Sequence, residues 1–221
     1  IYGKHMYPAF ISPNNTLGIT EIDRVRASHD YNEVGTFNPN VRTLIAFNTD
    51  SKILKTVRTN GVLITQVTPR GGVISGSSSV MHLNGWNWED AVLRADDGIH
   101  LNWPSSYQNY GWWSKPSNTS KNKNYDESVT NIKNYFEKAK SYFISSNEID
   151  LELDATKGLF TGNKTLYVHA NYAKDIRESV RYFTEIGINK VVIVGGQDAL
   201  NAITILKEHN FPIILKRVHS L

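Results

Sequence analysis

Strand-length apolar runs alternating with helix-length segments constrain this chain more than any other feature. Thr165-Leu-Tyr-Val-His-Ala170, Lys190-Val-Val-Ile-Val194 and Phe211-Pro-Ile-Ile-Leu215 are the runs, and residues 173–186 and 198–209 between them read as helices. Strands alternating with helices predict βαβ units and a parallel sheet. Runs that stay apolar without a polar partner at every second place fit strands covered on both faces. The crossovers are then right-handed.

The first half is less regular. Met6 to Ile11 reads as a strand, and Ser51 offers a cap for a helix over residues 52–58. Gly61 to Val67 reads as a second parallel strand. Gly71-Gly72 breaks the chain, and residues 72–83 are extended or hairpin-like. Asn87 to Ala95 reads as a short helix and Gly98 to Trp103 as a further strand. Asp126 to Phe143 is a long amphipathic helix with Ile132, Tyr135, Phe136, Ala139 and Phe143 near one face.

With 221 residues, 40% of them hydrophobic and 20% charged, the composition is that of an ordinary globular chain, and we treat residues 1–221 as one partial domain. A complete (β/α)8 barrel takes about 250 residues. The chain begins at Ile1 directly before a strand and stops at Leu221 just after another, so we read it as a fragment of a longer protein. Open strand edges in such a fragment invite association, either with a second copy or with the segments that complete it. A net charge of +3 gives no reason to expect nucleic acid or an anionic membrane as partner. No apolar run approaches the roughly 20 residues of a membrane-spanning helix. The absence of cysteine excludes disulfides and thiolate metal sites. The compartment stays open between cytoplasm and periplasm, since a signal could precede Ile1.

Residues 103–125 form the longest loop-like stretch, rich in Ser, Asn and Lys and carrying Trp103, Tyr107, Tyr110, Trp112 and Trp113. It follows a strand, so in a parallel barrel it lies on the face that carries active sites. It is either a lid over a ligand pocket or an insertion whose aromatic rings pack down on the barrel.

The segment Pro8-Ala-Phe-Ile-Ser-Pro-Asn-Asn-Thr-Leu-Gly18 resembles the first barrel strand and metal loop of the amidohydrolase superfamily, which runs roughly Pro-Gly-Phe-Ile-Asp-x-His-x-His-x-Gly. Further patches follow in the family's order: Asn60-Gly-Val62 through Thr68-Pro-Arg-Gly-Gly72 and Ser75-Gly76, then Val168-His-Ala170, Val194-Gly-Gly196 and Pro212-Ile-Ile-Leu215. Together they resemble the imidazolonepropionase-like branch. The resemblance implies a (β/α)8 barrel, incomplete in this chain, and a divalent metal such as zinc that activates water. It also implies hydrolysis of a carbon–nitrogen bond, in a cyclic amide or amidine.

In this alignment the family's two metal-binding histidines fall on Asn14 and Thr16, and its aspartate on Ser12. His169 is the one ligand that carries over; Asn171 stands where some relatives have a second histidine. Asn and Thr are weak oxygen donors beside a neutral imidazole. His100 alternates with Ile99 and Leu101, so it shares a strand face with Asn102, and with Trp112 and Trp113 these residues are candidates to line a pocket. Two functions stay open: a metal-dependent hydrolase, or a barrel that has lost catalysis and binds a small molecule or pairs with an active relative.

Overall fold

A computed structural model describes residues 2–109, 119–145 and 148–216. The strands are β1 (Phe10–Asn15), β2 (Val62–Val67), β3 (Ile74–His82), β4 (Val92–Asn102), β5 (Tyr107–Asn109), β6 (Thr119–Lys121), β7 (Thr165–Ala170), β8 (Val191–Gly195) and β9 (Ile213–Leu215). The helices are α1 (Thr43–Ala46), α2 (Lys52–Thr59), α3 (Trp88–Ala91), α4 (Tyr125–Ser145), α5 (Leu151–Phe160), α6 (Ala173–Ile186) and α7 (Ile203–Glu208). Seven strands form one sheet in the order β1-β2-β3-β4-β7-β8-β9, and β5 pairs with β6 apart from it. The sheet curls until it is nearly closed, with the helices outside. Among the described residues no helix is long and apolar enough to cross a membrane.

The second half folds as its pattern predicts. β7, β8 and β9 pair in parallel, joined by α6 and α7, and β4 joins β7 in parallel as well. Gly187, left-handed at φ 99°, closes α6 by donating its N–H to the Phe183 and Thr184 carbonyls.

The first half overturns the expected (β/α)8 repeat. β1 and β2 are parallel, but β2–β3 and β3–β4 are antiparallel, so the sheet is mixed. The reason lies in the connection over residues 68–73, which is shorter than the dozen or so residues a parallel crossover needs. The helix expected over residues 87–95 stops at Ala91, because Val92 and Arg94 are recruited opposite Met81 and Val80 of β3. Helix α5 is an addition to the expected elements, and Asp150 caps it by accepting from the Glu152 and Leu153 N–H groups.

The main core lies between the sheet's outer face and the helices. Ile99, Leu101, Leu166, Val168 and Ile193 from the strands meet Ile132 and Phe136 of α4 and Ile176, Val180 and Phe183 of α6. A second cluster, with Ile19, Leu44, Phe47, Leu54, Val67 and Met81, supports β1 to β3. The alternate residues of β4 and β7 turn to the inner face. Gly98 must be glycine there, since a Cβ would come within 2.3 Å of the Thr165 carbonyl oxygen and 2.5 Å of the Tyr167 ring.

Candidate functional site

The end of β1 is bent by a register shift between Ser12 and Asn15, and Asn14 takes a left-handed conformation at φ 51° that asparagine tolerates better than most residues. Asn15 holds the bend. Its Nδ2 donates to the Ser12 carbonyl (2.7 Å), and its Oδ1 accepts from Leu17 N–H (2.9 Å) and Thr65 Oγ1 (2.8 Å). Asn14 is thereby aimed at Arg70, which donates through Nη1 to Asn14 Oδ1 and through Nη2 to the Asn14 carbonyl, each at 2.8 Å. Asn14 N–H in turn donates to Gln66 Oε1 (3.2 Å). Thr16 opens a turn whose carbonyl accepts from Ile19 N–H (3.1 Å).

Across the inner face, His100 Nδ1 and His169 Nε2 share a hydrogen bond of 2.9 Å. His100 is fully buried and stacks on Tyr167, with ring centres 4.5 Å apart and planes within 5°. The Tyr167 hydroxyl donates to Asp97 Oδ2 (2.9 Å), which also accepts from Gln66 Nε2 (3.0 Å), while Ser78 Oγ donates to Asp97 Oδ1 (2.7 Å). The buried Asp97 carboxylate is therefore met by three donors. A polar chain runs from Asn14 through Gln66, Asp97 and Tyr167 to the two histidines.

The electrostatics of this chain follow from burial and from two cations. Burial holds His100 well below the usual imidazole range, with the His169 and Arg70 charges adding to the effect. His169 falls to about 3, first through burial and then through Lys216 and Arg70. Both rings are neutral at pH 7. His100 Nε2 is buried without a hydrogen-bond partner among the described residues. An unpaired lone pair costs less there than an unpaired N–H, which favours the proton on His100 Nδ1 and makes His169 Nε2 the acceptor. Tyr167 is raised above the ordinary phenol range by burial and by Asp97, so it stays a donor.

Of the residues expected at the site, the structure brings Asn14, His100 and His169 into this arrangement. Asn102 serves elsewhere. Its Nδ2 lies 2.9 Å from the Gly72 carbonyl and 3.0 Å from Ser75 Oγ, bracing the glycine turn before β3. Asn171 turns toward β8, where its carbonyl accepts from Asp198 N–H (2.8 Å) and its Oδ1 lies over Gly195. Trp112 and Trp113 lie outside the described residues. Within residues 103–125, Ser106 N–H donates to Asp175 Oδ2 (3.1 Å) and Trp103 Nε1 to the Tyr125 hydroxyl (3.2 Å), which pins both ends of the stretch. Sequence reasoning missed Gln66, Arg70, Asp97, Tyr167 and Lys216. Only Tyr167 had a signal, standing two residues before His169 on one strand face.

The residues present do not fit the divalent metal that the resemblance implies. Among the described residues no three His, Cys, Asp or Glu side chains converge as a metal cluster. Asn14 Oδ1 is taken by Arg70 and His169 Nε2 by His100 Nδ1, which leaves the buried His100 Nε2 without other donors beside it to complete a metal site among the described residues. Two cations raise the local potential where a metal would need it lowered.

In comparison with solved structures, 97% of this chain overlays an amidohydrolase from Thermotoga maritima MSB8 with a TM-score of 0.81 at 20% identity. The chain spans 58% of that protein's length, and at this identity the likeness is one of fold. No family model matches the sequence, and no curated protein matches it.

Proposed function

We propose that this chain works in an amidohydrolase-type hydrolase that cleaves a carbon–nitrogen bond outside peptides, in a cyclic amide or amidine. The observation that carries the reading is the fold shared with the T. maritima amidohydrolase over nearly the whole chain. The polar chain ends at the carboxyl ends of β1, β4 and β7, the side of α/β sheets where ligands bind. Arg70, seated on Asn14, supplies a fixed positive charge and N–H donors for a carbonyl oxygen that gains charge during attack. The neutral His100–His169 pair offers hydrogen bonds without bringing charge of its own. No step is assigned to a metal, because the donor set does not suit one.

The test is turnover of hydantoins, dihydropyrimidines and lactams by the full-length protein. Hydrolysis of at least one class is expected, falling about 100-fold or more when Arg70 is replaced by Met, in line with the loss of one oxyanion donor. A complete panel without turnover would overturn the reading.

A second reading is favoured by Asn14 and Thr16 at the positions of the family's histidines: a barrel that binds a small molecule, or supports an active relative, without hydrolysis. If restoring histidine at both positions lets metal bind without loss of stability, the site is a relic. Chelator-sensitive hydrolysis by the unaltered protein would exclude this reading. Association is proposed for either case, because Phe10 and Ile11 on edge strand β1 are 69% and 62% exposed. Light scattering that returned a strict monomer would rule it out.

A further inference from the structure

We propose that the mouth of this sheet binds an oxyanion, a ligand carboxylate, at the place where the amidohydrolases it resembles hold a divalent cation. The inference rests on the mouth being the ligand site proposed above. It begins with Arg70, whose guanidinium lies along Asn14 with two bonds of 2.8 Å, while Asn14 is itself tied to Gln66. The seat is built before any ligand arrives. It leaves the Nε edge of the guanidinium with no partner among the described residues, and a guanidinium edge matches the two oxygens of a carboxylate.

The second cation comes from the opposite edge of the sheet. Ala170 is in register with Gly195, and Gly195 with Leu215, so Lys216 stands one residue past Ala170's level on β7. The sheet is nearly closed, so its β9 edge curls back toward the β1 edge, where Arg70 lies on Asn14. Two cations at one mouth repel each other, and an anion bound between them removes that repulsion.

No carboxylate lies within ion-pair reach of Arg70 or Lys216 among the described residues, although Arg42, Lys133 and Lys157 have Asp96, Glu178 and Asp154. Other charged cavities differ in this respect. The cavity of about 310 Å³ beside Arg42, Asp96, Asp154 and Lys164 has cations and carboxylates already matched. The mouth combines a partly buried guanidinium, a lysine and a neutral imidazole pair, and the nearby Asp97 carboxylate is already met by Gln66, Ser78 and Tyr167 rather than by either cation. A cation there would meet Arg70 at the residue that aligns with a metal ligand.

Histidine ring shifts in the full-length protein, read by long-range proton–nitrogen NMR, test this with acetate, inorganic phosphate and zinc chloride added separately. Acetate is expected to move the His169 and His100 signals in a saturable way, at least tenfold more weakly in Arg70→Gln and in Lys216→Gln. Lys216 is solvent-exposed, so its variant keeps the test valid if Arg70→Gln unfolds. Tighter saturation by phosphate would keep the oxyanion site and assign it to a phosphate group. Zinc binding at one equivalent with shifts of both histidines would overturn the proposal, and so would anion shifts that are unsaturable or unchanged in the variants. Anion binding without turnover of any cyclic amide would remove the hydrolase reading alone. Turnover without an anion response would remove this inference alone.

Discussion

The two faces of β7 belong to different regions of the molecule and are stabilised in different ways. Leu166, Val168 and Ala170 enter the apolar core beneath α4 and α6, while Tyr167 and His169 belong to the polar chain of the inner face. On the outer face, burial is non-directional and depends on volume and area. On the inner face, each group depends on named partners at fixed positions, so one deletion removes a specific hydrogen bond from a neighbour. The outer face accordingly governs how stable the fold is, and the inner face governs which polar atoms the mouth presents.

The largest expected effect tests the outer face. Phe183 is fully buried and meets Trp103, Phe136 and Tyr182 edge-on, so Phe183→Ala is expected to cost about 3–5 kcal/mol in denaturant unfolding. A loss under about 1 kcal/mol would place the core elsewhere.

Acid tests the inner face. Both histidines have a lower proton affinity folded than the 6.5 of an unfolded chain, so the unfolded state takes up protons first as the pH falls. Their contribution is complete above pH 6.5 and declines below it, for His169 until about pH 3. Between pH 6.5 and 5 His169 should remove about 1.7 kcal/mol of stability, and His100 adds a loss in the same direction. Urea midpoints at the two pH values measure this, and His169→Gln should flatten the dependence. A stability that rose on acidification would contradict the neutral pair.

A single hydroxyl sharpens the comparison further. Tyr167→Phe keeps the ring stacked on His100 but removes one of the three donors to Asp97, with an expected cost of about 1–3 kcal/mol. The same change should leave the outer-face core intact, which near-ultraviolet circular dichroism of the Trp103 region can verify. The smallest effect belongs to neither face. Arg42 pairs with Asp96 in a partly exposed bridge, and Arg42→Ala should shift stability by no more than about 1 kcal/mol.

Much of the second half is legible in the sequence. The apolar runs that become β7, β8 and β9 and the helix over 173–186 announce themselves within a few residues. The placement of His100 opposite Ile99 and Leu101 is legible for the same reason, since strand side chains alternate. The direction of β3 is not. An apolar or alternating run has the same pattern whether its neighbour is parallel or antiparallel, and the glycines of the short connection over 68–73 mark a break without saying which way the chain leaves it. The helix expected over 87–95 fails in its second half because pairing with β3 outweighs local preference there.

Local periodicity is enough to establish an α/β chain and its buried strand faces. Strand pairing decides that Asn14 receives Arg70 and that His100 meets His169, and the curl of the sheet decides that Lys216 adds its charge to theirs. The physical reason is range. Side-chain alternation and helical period are set by a few neighbouring dihedral angles. Hydrogen-bond partners and charge neighbours are chosen by the pairing order and curvature of a seven-stranded sheet, which join residues far apart along the chain.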